Sequence, residues 1–154
     1  MERRTPSEQH GRIHLKALGA DHVVTYCENP EWGTAVREST GGRGADLVVE
    51  TNGPDTIEQS MRAAALYGQI VLLTTGNPRR PGIEISSPVY AASLATIRRV
   101  FVGGRAHFES MNRALTLHGA RPVIDRVFGF DEVHEAFRHY ASGVAFGKVV
   151  IRVA

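Results

Sequence analysis

Apolar residues along this chain follow two rhythms. Uninterrupted runs such as Leu47-Val48-Val49 and Ile70-Val71-Leu72-Leu73 sit between turn residues, as strands buried on both faces of a parallel sheet do. Between the runs, apolar residues recur at the spacing of an amphipathic helix. A first helix starts near Ser7 and carries Ile13, Leu15 and Leu18 as far as Gly19. His22–Tyr26, rich in β-branched residues, predicts a short strand. Asn29-Pro30 reads as cap and first turn of a helix bearing Trp32, Ala35 and Val36, stopped at Gly41-Gly42. Asp46 to Thr51 is the next strand. Thr56 with Gln59 matches a capping box, opening a helix whose inner stripe is Ile57, Met61, Ala64 and Ala65 and which Gly68 closes. After the Ile70–Leu73 strand, Ser87-Pro88 opens a helix with Val89, Ala92 and Leu94, leading into a strand from Ile97 to Val102. Phe108, Met111 and Leu115 mark another helix, ending at Gly119.

The tail has a different pattern. Val123, Asp125 and Val127 alternate with Ile124, Arg126 and Phe128, as in a half-exposed strand. Asp131 reads as the cap of a helix with Val133, Ala136, Phe137 and Tyr140 inward, and Lys148–Val153 is a last strand. Strands alternating with helices predict βαβ units, hence the α/β class with a mainly parallel sheet.

Composition changes this picture little. A chain of 154 residues with 42% hydrophobic and 22% charged residues is globular. The net charge of +2 comes with dispersed arginines, which argues against a nucleic-acid partner. A single cysteine, Cys27, permits no internal disulfide and suggests a reducing compartment. No apolar run approaches the roughly 18 residues of a spanning helix, and the N-terminal MERRTPSEQHGR lacks the apolar core of a secretory signal. The expectation is a cytoplasmic protein with no membrane partner.

Candidate chemistry gathers at strand ends. Thr51-Asn52-Gly53, Thr74-Thr75-Gly76 and Gly103-Gly104-Arg105 each close an interior strand with small polar residues. Ligands of open α/β sheets sit outside such carboxyl ends. Amides and hydroxyls there suit a ribose or nicotinamide, and Arg105 suits a phosphate. Gly41-Gly42-Arg43-Gly44 precedes a strand rather than following one, so it reads as a loop and not as a phosphate cradle. His134 and His139 are five apart and diverge around a helix, no nucleophile elbow is present, and Asp131-Glu132 is explained by a helix start. No residue is assigned to catalysis or to a metal.

LGADHVVTY, EWGTAVRESTGGRGADLVVETNG, GQIVLLTTG, FVGGRAHFESMNRAL and the ending RPVIDRVFGFDEVHEAFRHYASGVAFGKVVIRV together resemble zinc-type alcohol dehydrogenases of the medium-chain dehydrogenase/reductase superfamily. The likeness runs from about residue 17 to the C-terminus and corresponds to the second half of that family's cofactor domain. It implies an incomplete doubly wound, Rossmann-like sheet with helices on both faces and a C-terminal strand-helix-strand tail. Residues 1–120 would be a partial NAD(P)-binding domain, and 121–154 a tail that in the family returns to the catalytic domain. By this likeness Thr51, Asn52, Gly53, Thr74, Thr75, Gly76, Phe101, Val102, Gly103, Gly104 and Arg105 fall where the family contacts adenosine or nicotinamide. Lys148 falls where a basic residue approaches the phosphates.

The departures from the family set further expectations. The zinc-bearing domain, the first strand and its glycine-rich turn have no counterpart in these letters. The resemblance therefore implies a fragment of an NAD(P)-dependent oxidoreductase acting on an alcohol or carbonyl. Such a fragment is expected to be inactive alone, with NAD or NADP binding weak or lost and zinc confined to the absent domain. The alternative is a non-enzymatic nucleotide- or partner-binding α/β module. In the family order, two strands separate His22–Tyr26 from Asp46–Thr51, so the sheet would lose its middle and self-association is expected.

Overall fold

The computed structural model describes residues 6–73 and 82–153. The chain forms two compact units, one spanning Asp21–Val102, the other joining the residues up to Ala20 with those from Gly103 onward. No described helix is long and apolar enough to cross a membrane.

The Asp21–Val102 unit is built on a three-stranded parallel sheet in the order β1 (Ala45–Glu50), β2 (Ala64–Leu72), β3 (Thr96–Arg99). Helices α2 (Trp32–Ser39), α3 (Ile57–Ala63) and α4 (Ser87–Ala92) accompany it. Ile57, Met61, Ala64, Ile70, Leu72 and Val89 form the core, with Val48, Ile83, Ile85 and Ala95 packed against it. The register pairs Glu50 with Leu72 and Leu72 with Arg99, so the three strands end along one edge.

The α2–α3 contact explains a glycine. A Cβ on Gly33 would lie 2.5 Å from the Gln59 carbonyl oxygen, and the Gly33 N–H donates to Gln59 Oε1 at 2.9 Å. Only a residue without a side chain allows so close an approach.

Several expectations are corrected here. His22–Tyr26 is not a strand; it belongs to no ladder among the described residues. A β-prone sequence without a neighbouring edge makes no sheet hydrogen bonds. The strand from Asp46 is not buried on both faces: Leu47 is 58% and Val49 56% exposed, whereas Val48 faces the core. The 97–102 strand is shorter, and every residue of β3 is exposed. Asn29-Pro30 does not open its helix, which begins at Trp32.

The Thr56/Gln59 capping box does not form, because both side chains have longer-range partners: Thr56 bonds Glu50 and Gln59 bonds Gly33. Helix α3 stops at Ala63, before Gly68. The Arg37 guanidinium takes the carbonyls of Arg62 and Ala64, each at 2.6 Å, and Ala64 turns extended to begin β2. Ala64 and Ala65 are buried as expected, as strand rather than helix residues.

The second unit holds α1 (Pro6–Ala17), α5 (Arg105–Leu117), β4 (Ile124–Phe128), α6 (Val133–Ala141) and β5 (Lys148–Ile151), with β4 and β5 pairing in parallel. Asp131 lies within a 3-10 turn, Phe130–Glu132. There Glu132 closes the turn by accepting the Gly129 N–H at 2.7 Å. Of the stripe expected inward on α6, only Ala136 is buried. Phe137 and Tyr140 border a shallow hollow of about 170 Å³ beside Val149 and Ile151, since a two-stranded sheet is too narrow to cover the helix. Phe108, Met111 and Leu115 are exposed on α5.

Candidate functional site

The β1 tip is the best-formed part of the common strand edge. After Glu50 the chain continues through exposed Thr51 and Asn52 into a 3-10 turn, Gly53–Asp55, in which Gly53 and Pro54 are buried. Gly53 has φ +65°, a conformation that favours glycine and lets the chain fold back sharply.

Beneath the turn lies Glu50, 3% exposed. Its Oε1 accepts the Asn52 N–H at 2.7 Å, the Gly53 N–H at 2.9 Å and the Thr56 hydroxyl at 2.7 Å. Its Oε2 accepts the Ser60 hydroxyl. Burial by itself pushes the Glu50 carboxyl up. The bonds from Ser60, Thr56 and the two amides outweigh burial and hold it below the ordinary carboxylate value.

Beside this tip opens a hollow of about 650 Å³. The segment His22, Val24, Tyr26 borders it, together with Trp32 and Val36 of α2, Val48–Asn52, and Thr56 and Ser60. Apolar side walls with a few polar groups at one end can take a flat ring and hydrogen-bond its edge.

The other expected residues lie as follows. The ladder runs on past β2, where the Leu73 N–H donates to the Glu50 carbonyl at 2.9 Å. Thr74, Thr75 and Gly76 lie outside the described residues. At the β3 end the Val100 N–H donates to the Leu72 carbonyl at 3.2 Å, so the chain leading to Phe101 and Val102 leaves from the same edge as Thr51. Phe101 is 78% and Val102 97% exposed, and the Arg99 guanidinium lies over the Phe101 ring, 4.3 Å from its centroid.

Gly103, Gly104 and Arg105 belong to the other unit. There Gly104 precedes α5 with its N–H on His107 Nδ1 at 3.2 Å, and Arg105 makes an exposed pair with Glu109 at 2.8 Å. Lys148 opens β5, exposed, its N–H on the Val123 carbonyl at 2.9 Å.

Two features were missed from the letters alone. The letters mark Glu50 only as an acid closing an apolar run, with hydroxyls at Thr56 and Ser60 one helical turn apart. Spacing along the helix gives no sign of a partner for His139. Its Nε2 is 2.6 Å from Asp125 Oδ2, while Asp125 Oδ1 accepts the Phe146 N–H at 2.9 Å. Those bonds, His139 first, hold the Asp125 carboxyl below its usual range. Among the described residues no three of His, Cys, Asp and Glu form a group able to hold a metal ion.

Comparison with known proteins fits this geometry. A family model described as zinc-binding dehydrogenase matches residues 18–151. A zinc-type alcohol dehydrogenase-like protein of Schizosaccharomyces pombe is 31% identical over 140 residues, covering 90% of this chain and 40% of that protein. Among solved structures, a putative alcohol dehydrogenase from Sinorhizobium meliloti superposes with TM-score 0.80 at 34% identity, covering 96% of this chain and 42% of the other. An NAD-dependent alcohol dehydrogenase superposes with TM-score 0.79 at 28% identity and the same coverage. The chain thus spans about two fifths of the length of these relatives.

Proposed function

This chain belongs to the zinc-binding dehydrogenase family, and from that premise we propose that its β-strand edge is the nicotinamide-facing part of an NAD(P)-dependent oxidoreductase. The parent reaction is reversible hydride transfer between the nicotinamide ring and an alcohol or carbonyl carbon. The observation that carries this reading is the common edge of β1, β2 and β3, with Thr51 and Asn52 exposed beside the hollow.

In this reading Thr51, Asn52 and Gly53 form one end of the ledge and Phe101 and Val102 extend it, while Thr74, Thr75 and Gly76 are assigned to the cofactor from the sequence alone. Gly103, Gly104, Arg105 and Lys148 are assigned to the cofactor through the family likeness alone. Residues 1–120 are assigned to the dinucleotide-binding portion and 121–154 to the tail. The described residues offer no donor set that fits zinc, so no step is derived through that ion. None of these residues is assigned to the hydride-transfer step.

Calorimetry with NADH and NADPH, paired with an alcohol-oxidation assay in the presence of zinc, tests the proposal. The expected result is binding weaker than about micromolar and no turnover, because the amides of Asn52 and Gly53 are already committed to Glu50. Submicromolar binding or zinc-dependent turnover by the purified chain would overturn the expectation of a weak, inactive chain. Complete absence of binding would favour the second reading, a non-enzymatic partner-binding module. That reading draws on the same committed amides.

A further inference from the structure

Glu50 is a buried acid with no salt bridge among the hydrogen bonds it receives: two backbone amides and two hydroxyls, all neutral. Such a shell is costly to assemble, since each donor must be fixed in place. Its geometry has a consequence for the ledge. The Asn52 and Gly53 N–H groups point down at the carboxylate, so neither is free for a ligand. Thr51 and Asn52 are left exposed above. Thr56, between the 3-10 turn and α3, holds the same oxygen as the two amides, and Ser60 of α3 holds the other.

We propose that Glu50 is the positioning residue of the β1 tip: its carboxylate transmits the placement of α3 to Asn52 and Gly53 and so decides which groups the tip presents to a dinucleotide. The ligand side of this inference rests on the function proposed above. A phosphate would find neither the Asn52 nor the Gly53 amide open and would meet a negative charge below, so the tip suits an uncharged ribose or carboxamide.

The test uses the full chain and its E50A, E50Q and T56V/S60A variants, with amide hydrogen exchange read residue by residue. In E50A the Asn52 and Gly53 amides are expected to exchange at least about tenfold faster, the equivalent of one lost hydrogen bond, while the β2 amides at Ile70–Leu72 hold their rates. E50Q, which keeps a carbonyl acceptor, is expected to restore slow exchange. T56V/S60A is expected to speed the same two amides severalfold although it removes no group that touches them. Unchanged Asn52 and Gly53 exchange in folded E50A overturns the proposal. If E50A does not fold, unchanged exchange in T56V/S60A overturns it instead.

NADH titration separates the two claims. If the wild-type chain shows no NADH binding, the cofactor reading falls and exchange alone judges the role of Glu50. If it binds, the expectation is an affinity about tenfold weaker in E50A and recovered in E50Q. Equal NADH affinity in wild type and folded E50A sinks the ligand role.

Discussion

At Glu50 two opposing effects meet, burial that disfavours the charge and four donors that favour it, and the donors win. The sign of the pH effect follows. The folded-state pKa is depressed below the ordinary 4.5, so the stabilisation is fully present above that pH and disappears as pH falls through the lowered folded value. The melting temperature of the wild type should therefore drop on acidification below about pH 5, and E50Q should show a shallower drop. Asp125 and Glu58 are also depressed, so the wild-type minus E50Q difference isolates Glu50. Parallel melting curves in acid for the two proteins would refute the assignment. At neutral pH, E50A should cost on the order of 1–3 kcal/mol, because it strands buried donors, measurable by urea unfolding.

At the scale of elements, the tail is held by a clasp whose two halves lie far apart in the chain. Asp125 on β4 reaches His139 on α6 and the Phe146 amide ahead of β5, and the His139 ring packs 5.8 Å from buried Phe128. Replacing Asp125 by alanine should accelerate amide exchange across β4 and β5 and leave the β1–β2–β3 ladder unchanged. Uniform acceleration in both sheets would show that the clasp is not local. In the other unit, Thr56 and Gln59 show why a helix start can be misread. Their spacing satisfies a cap, but a buried carboxylate and a close helix partner are better acceptors and donors for those side chains than the helix end itself.

At the scale of the whole molecule, the three-stranded sheet leaves Leu47 and Val49 exposed on β1, an apolar strand whose one hydrogen-bonded neighbour among the described residues is β2. Open apolar edges of this kind recruit further strands, and self-association is the expected outcome. Light scattering at micromolar concentration should report species larger than 16.8 kDa. The double change Leu47→Lys, Val49→Lys should reduce them by placing charge on that strand. A clean monomer for the wild type would count against this expectation.

The amino-acid sequence by itself determined the alternation of strands and helices, and with it the parallel α/β class. It also marked Ile57, Met61, Ala64 and Ile70 as interior residues and carried a family likeness through its motifs. Periodicity tells which face a residue occupies, because side-chain direction repeats with the backbone. The tertiary structure alone decided the partners: Glu50 with Ser60, His139 with Asp125, Arg37 with the end of α3, and the lack of a strand partner for His22–Tyr26 among the described residues. Those pairings depend on distances between separate elements, and a strand forms only where another strand's edge lies alongside.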